Sequence, residues 1–153
     1  MSPVFRNDPY PAYNFEVIVV GISDDGRSVK GSFSEVSGLG VEVTPIEYRT
    51  GSEPNQVRKL PGLNKFSNIT LKRGVIGDLA FWNWLVRAMQ GNVLRADGSI
   101  ILLDENRAEV LRWNFVRAWP CRWTGPNLNA KTSEIAIETL EICHEGISVD
   151  GQA

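Results

Sequence analysis

His144 is the only imidazole in the chain, and it sits between Cys143 and Glu145. A Ser-His-Asp triad would have to use it. No G-x-S-x-G elbow accompanies it to present a nucleophilic serine. A single histidine at the end of an apolar segment reads instead as a hydrogen-bonded strand-end residue. With Cys121 and Cys143 it makes up the soft metal ligands of the chain, whereas structural zinc takes four ligands in tight pairs. The two cysteines form no disulfide framework. They read as small, partly buried thiols that an intracellular setting keeps reduced.

Carboxylates are the other route to chemistry. Asp24-Asp25, Asp104-Glu105 and Glu138 with Glu141 lie at turns or along a strand. Two carboxylates flanking a cleft can work as acid and base. Nothing in the spacing places a pair around a cleft, so these read as solvated charge. SGLGVE at Ser37–Glu42 is no phosphate or dinucleotide loop, because no helix follows it. The expectation is therefore no catalytic residue, no cofactor and no metal. Arg58, Lys59, Lys65, Lys72 and Arg73 form a local basic stretch. Sixteen basic against eighteen acidic residues leave a net charge of −2, which argues against a dedicated nucleic-acid binder.

The elements that would carry these residues are mostly strands. At 153 residues the chain reads as one domain, 1–153, with one core. Residues 1–12 contain DPYP and suit an extended arm. No signal peptide and no membrane-length apolar run is read, so the protein is expected to be made in the cytoplasm without a membrane anchor. Phe15–Val20 and Lys30–Val36 read as strands joined by a turn at Asp25-Gly26. Val41–Tyr48 continues, with Pro45 marking an edge or a bulge. Thr50–Asn64 reads as a long loop, basic over Val57–Asn64, and loops of that length are functional or order on a partner.

Phe66–Arg73 is a strand with Ile69 and Leu71 on one face. Asp78–Met89 is the one helix, with Asp78 as N-cap and Gly91 as stop. Leu79, Trp82, Leu85, Val86 and Met89 share a helical face. Phe81 and Trp84 widen that stripe, which suggests that part of it meets another subunit. Ala108–Trp119 is the longest strand. Leu111, Trp113, Phe115 and Trp119 lie on one side and Val110, Arg112, Asn114, Val116 and Ala118 on the other. Pro120 and Gly125-Pro126 bracket a short strand at Cys121–Thr124. Thr132–His144 is the last strand, with Glu138 among apolar neighbours and an apolar phase that switches from Ile135 and Ile137 to Leu140 and Ile142. His144–Ala153 reads as a polar tail. Seven or eight strands and one helix point to a mainly β fold, a small barrel or two-sheet sandwich. Mixed strand faces suit a sheet with one buried side and one wet side.

Ten stretches in order carry a family resemblance: DPYPAYNFEV at 8–17, FSEVSGL at 33–39, EYR at 47–49, VRKLPGL at 57–63, NITLKRG at 68–74, FWNWL at 81–85, ILLDE at 101–105, RWNFVRAWP at 112–120, TGPNLNA at 124–130 and EIAIETLEICHEG at 134–146. Together they resemble the inner tube proteins of contractile injection systems, which include the contractile-phage tail tube proteins and those of extracellular injection systems. The resemblance covers nearly the whole chain. It implies a small β-barrel or two-sheet sandwich flanked by one α-helix, of tail-tube type, and no enzymatic activity. It implies homo-hexameric rings stacked into a hollow tube, with a sheath protein around it and baseplate and spike hub proteins at its end. The lumen would hold protein cargo, or DNA in a phage, and the particle would be a phage tail or an extracellular injection machine.

The arm at 1–12 and the loop at 50–64 would then bridge subunits. The residues expected at those contacts are Asp8, Tyr10, Pro11, Tyr13, Tyr48, Arg49, Arg58, Lys59, Leu60, Pro61 and Leu63, with Phe81 and Trp84 from the helix. Arg112, Asn114 and Glu138 are expected along the lumen. A tube-initiator or spike-adaptor subunit is a close variant. The alternative from another class is a small-molecule-binding β-barrel or a cofactor-using barrel enzyme, which would need a deep pocket rather than an interior filled by aromatics.

Overall fold

The computed structural model describes residues 8–21, 29–31, 33–49, 51, 57–75, 79–131 and 133–150. In chain order the strands are β1 (Phe15–Val19), β2 (Val29–Gly31), β3 (Glu35–Ser37), β4 (Val41–Tyr48), β5 (Arg58–Phe66) and β6 (Ile69–Gly74). The helix α1 (Ala80–Met89) follows, then β7 (Ala96–Leu103), β8 (Glu109–Thr124), β9 (Ile137–Cys143) and β10 (Gly146–Asp150). The turn at Asp25-Gly26, the cap Asp78 and the first seven residues of the arm lie outside the described residues.

β8 organises the rest. Its first half pairs with β7, its second half with β9, and β10 continues the line of β9 along the same edge. The strand order is β2-β1-β7-β8-β9-β6-β3, all antiparallel, with β4 and β5 forming a separate two-stranded sheet. One strand thus belongs to two sheets. Among the described residues the path is open, so the fold is the two-sheet form of the expectation and not a closed barrel.

The change of sheet has a local cause. Arg117 takes a φ of 52°, and the β7–β8 register shifts there between Ala96 and Gly98. Asp97 accepts the Arg117 backbone N–H at 3.0 Å, and the Glu145 N–H bonds the Val116 carbonyl at 3.0 Å. A bulge of this kind bends a strand and raises its twist. It also resets which side chains face inward. Val110, Phe115, Ala118 and Pro120 are buried, so the two-face division expected for Ala108–Trp119 does not hold across Arg117. Cys121–Thr124 is not a separate strand but the end of β8.

The core lies between α1 and the sheets, on Val17, Val19, Ile69, Leu71, Ile100, Phe115, Leu140 and Ile142 with Phe81 and Trp84 from the helix. Three expectations are revised. Residues 146–150 form β10 and are not a tail. The last apolar segment becomes strand only at Ile137, and Glu138, Leu140 and Ile142 share its inward face while Ile135 and Ile137 stay exposed. The helix buries Phe81 and Trp84, whereas Leu79 and Met89 are exposed. Trp84 goes inward because its indole N–H reaches the Leu94 carbonyl at 2.7 Å, which satisfies the buried donor.

Gly98 sits where β1, β7 and β8 approach closely. A Cβ there would lie 2.4 Å from Phe115 Cζ and 2.5 Å from the Ile18 carbonyl. Neither a core ring nor a strand backbone yields easily, so Gly98→Ala is expected to destabilise the fold by about 1–3 kcal/mol. A urea midpoint unchanged from wild type would contradict this.

Candidate assembly surface

β4 and β5 form a ribbon with little cover from the rest of the protomer. Every residue of β4 is exposed, and so are seven of nine in β5, yet Val41, Val43, Ile46, Tyr48, Leu60 and Leu63 are among them. Paired residues share a face in an antiparallel ladder. Ile46 stands opposite Leu60, while Glu42 and Glu47 stand opposite Lys65 and Lys59. The ribbon therefore sets two acid–base pairs across its ladder, with Arg58 opposite Tyr48, and leaves the Ile46–Leu60 pair in solvent. The register slips between Val43 and Pro45, where Gly62 and Leu63 together oppose Thr44. Only glycine fits at 62, since a Cβ would meet the Thr44 carbonyl at 2.5 Å. Leu63 beside it is 86% exposed. The loop expected over Thr50–Asn64 is thus strand from Arg58 onward. Its Pro and Gly mark a bulge rather than a coil, and residues 50 and 52–56 lie outside the described residues.

His144 ties the base of the ribbon to the body. Its Nε2 faces the Ser67 carbonyl at 2.8 Å and its Nδ1 faces the Gly146 carbonyl at 3.2 Å. Its ring lies near Phe66 and Phe115, with centroids 5.7 and 6.4 Å away. A neutral imidazole has one N–H and donates to one of these carbonyls, and the imidazolium donates to both. Both ring nitrogens thus face backbone carbonyls, in a hydrogen-bonded position at the end of β9.

A second unpartnered surface lies between α1 and the second sheet. A cavity of about 330 Å³, open to one side, is lined by Leu71, Val75, Leu79, Trp82, Trp123 and Leu140, among others. Its wall holds a buried ion pair: Arg73 Nε donates to Glu138 Oε1 at 2.6 Å. The Arg73 guanidinium also lies 5.6 Å from the Phe33 ring and 5.2 Å from the Phe81 ring. Trp82 meets Trp123 edge to face at 4.8 Å.

The expected interface residues divide accordingly. Asp8 and Tyr13 are exposed on the segment leading into β1, and Tyr10 and Pro11 are half-buried there. Tyr48, Arg49, Arg58, Lys59, Leu60, Pro61 and Leu63 are exposed on the ribbon. Phe81 and Trp84 are not at a surface, because both fill the protomer core. Val41, Val43 and Ile46 read with Tyr48 as the apolar side of this strand in the sequence, yet they are not among the expected interface residues. The residues expected along the lumen also separate. Arg112 and Asn114 share one face of β8, where Arg112 Nε donates to Glu109 at 2.7 Å and the Ser99 hydroxyl donates to Asn114 at 2.6 Å. The hydrogen bond from Arg112 holds the Glu109 carboxyl below its ordinary range, and Glu109 raises Arg112 in turn. Glu138 does not join them, since it faces Arg73 beneath the helix.

Cys121 and Cys143 are both free thiols. Cys121 is exposed as a residue, but its Sγ donates to the Glu141 carbonyl at 3.4 Å. Burial of the sulfur, with the Cys143 thiol and the Glu141 charge beside it, pushes the Cys121 thiol up to about 12. The thiolate is the reactive species. Folded protein at pH 8 is therefore expected to alkylate at Cys121 at least 100-fold more slowly than the urea-unfolded chain, as an order of magnitude. The native state holds this proton more tightly than the unfolded state. The contribution is complete below about pH 9 and fades as pH rises toward 12. Equal alkylation rates in the two states would refute the assignment. Among the described residues no group of three or more His, Cys, Asp or Glu side chains could hold a metal, and no helix is long and apolar enough to cross a membrane.

The family profile for the T4-like virus tail tube protein gp19 matches residues 11–148. The chain belongs to this tail tube family. Its members are structural tube proteins. The chain is 30% identical to one in the tube-terminating cap of the anti-feeding prophage, covering 98% of this chain and 96% of that one with a TM-score of 0.80. It is 29% identical to a chain in the extended sheath–tube complex of PVC, an extracellular contractile injection system, covering 94% and 92% with a TM-score of 0.81. Hcp1 from Flavobacterium johnsoniae shares the fold at 18% identity, with a TM-score of 0.53 over 91% of this chain and 96% of that one. No curated protein is significantly similar in sequence.

Proposed function

We propose that the protein is the repeating subunit of the rigid inner tube of a contractile injection machine, assembled from six-membered rings stacked around a hollow lumen. The observation that carries this reading is the β4–β5 ribbon. An isolated two-stranded ribbon is marginal in water, and this one exposes apolar pairs that a neighbouring copy would cover. The ends of the sheet path, β2 and β3, and the free side of β10 are also open to pairing among the described residues. Open edges invite uncontrolled association unless a closed ring satisfies them.

On this reading the ribbon and the segment from Asp8 to Tyr13 bridge copies, and Arg112 and Asn114 face the lumen. A near-neutral chain does not grip what passes along a conduit. The tube is made and assembled in the cytoplasm of the producing cell, without catalysis or a cofactor. A sheath surrounds it, a baseplate and spike close its end, and protein cargo or DNA occupies the lumen. The relatives in a sheath–tube complex and in a tube-terminating cap support these partners. Negative-stain electron microscopy of the purified protein is expected to show rings or stacked tubes with a central hole. A persistent monomer at high concentration, carrying a tightly bound small molecule, would overturn the reading in favour of a ligand-binding barrel.

A further inference from the structure

Among the described residues, two apolar features lack cover in the protomer. One is the ribbon, with Leu63 projecting from the bulge and Leu60 nearby. The other is the open cavity between α1 and the second sheet. We infer that they are the two halves of one contact: the Leu63 bulge of one copy seats in the α1 groove of the next. This rests on the tube-subunit reading and names the partner surface that the ribbon uses.

Chemistry, size and symmetry support the pairing. The charges at the groove, Arg73 and Glu138, already bond each other, so an aliphatic occupant strands no ion there. On the ribbon Glu42 stands opposite Lys65 and Glu47 opposite Lys59, so these four charges are matched beside the leucines, while Arg58 stands opposite Tyr48 at the far end of the ladder from the Leu63 bulge. An apolar cavity of about 150 Å³ accepts a benzene-sized group. The groove, at about 330 Å³, has room for Leu63 and one neighbour. Strands of eight and nine residues extend about 27–30 Å, enough to reach across a subunit boundary. A ribbon-to-ribbon contact would be self-complementary and would end at a dimer with both grooves still open. A ribbon-to-groove contact is head-to-tail, uses both surfaces of every copy, and continues until a ring closes.

The test uses two full-length variants. Leu60→Glu with Leu63→Glu disables the ribbon, and Val75→Arg with Leu79→Arg disables the groove at positions 50% and 59% exposed, which leaves the core intact. In sedimentation velocity each variant alone is expected to run as a monomer. A 1:1 mixture is expected to give a heterodimer, from the intact ribbon of one and the intact groove of the other. Wild-type protein that never assembles would overturn the tube reading itself. Wild type that assembles beside a groove variant that assembles equally well would overturn only the groove as receptor, as would a mixture that stays monomeric. A photoreactive p-benzoylphenylalanine at position 63 in otherwise wild-type protein gives an independent readout. Crosslinks to the Leu79–Trp82 or Trp123 peptides of another copy support the contact, and crosslinks confined elsewhere refute it.

Discussion

Glu138→Leu is expected to cost about 3–5 kcal/mol of folding stability, because it leaves Arg73 charged and buried without its carboxylate. Arg73 is 5% exposed as a side chain and Glu138 20%, and their contact is 2.6 Å. The decisive comparison is the double replacement. Arg73→Leu with Glu138→Leu is expected to recover most of the loss, since well-packed hydrophobic residues often replace a buried pair at little cost. The recovery will be incomplete to the extent that the guanidinium's contacts with Phe33 and Phe81 contribute. Denaturant unfolding of the four proteins forms a double-mutant cycle. A single replacement that costs under about 1 kcal/mol, as exposed ion pairs do, would show that the pair is solvated.

Ile46→Glu with Leu60→Glu is expected to abolish assembly and leave the protomer folded. These residues face each other across the ribbon and are 52% and 48% exposed, so the isolated fold gains little from them. In a contact between copies each would contribute roughly 1.5–3 kcal/mol on burial. Losing both weakens association on the order of 1,000-fold. Sedimentation should show monomers where wild type is expected to assemble, with an unchanged β circular-dichroism spectrum. Loss of that spectrum would mean that the ribbon is part of the protomer core after all.

The sequence made the β content, the single helix and the longest strand legible because each has a local signature. Ile69 and Leu71 alternate, Phe15–Val20 is dense in β-branched residues, and glycine follows the helix. Three features were hidden, each for a physical reason. β5 was obscured by Pro61 and Gly62, which are loop signals in general but here build a bulge on an exposed ribbon. β10 was obscured because GISVD is short and half polar, and only its pairing with β8 makes it a strand. The helix faces were misjudged because periodicity shows that a stripe exists but not which part of a wide one faces inward. Phe81 and Trp84 won the core since the Trp84 indole finds the Leu94 carbonyl, a partner ten residues away. On the surface proposed for assembly, Tyr48, Arg58, Lys59, Leu60 and Leu63 are exposed. The groove was not legible, because its lining comes from β6, α1, β8, β9 and the segments beside them, and only the fold brings Phe33, Arg73, Trp123 and Glu138 together.

The shared strand has a consequence for how the molecule comes apart. A sheet with its own strands can melt by itself, whereas two sheets threaded by β8 are coupled, since losing either one strips the ladder bonds from one half of the strand that both share. The body should therefore open as one cooperative unit, with its slowest-exchanging amides on both halves of β8. The ribbon shares no strand with either sheet, so it is free to open separately at low cost. If copies join through the ribbon as proposed, that division gives one unit that yields all at once and one that a neighbour orders.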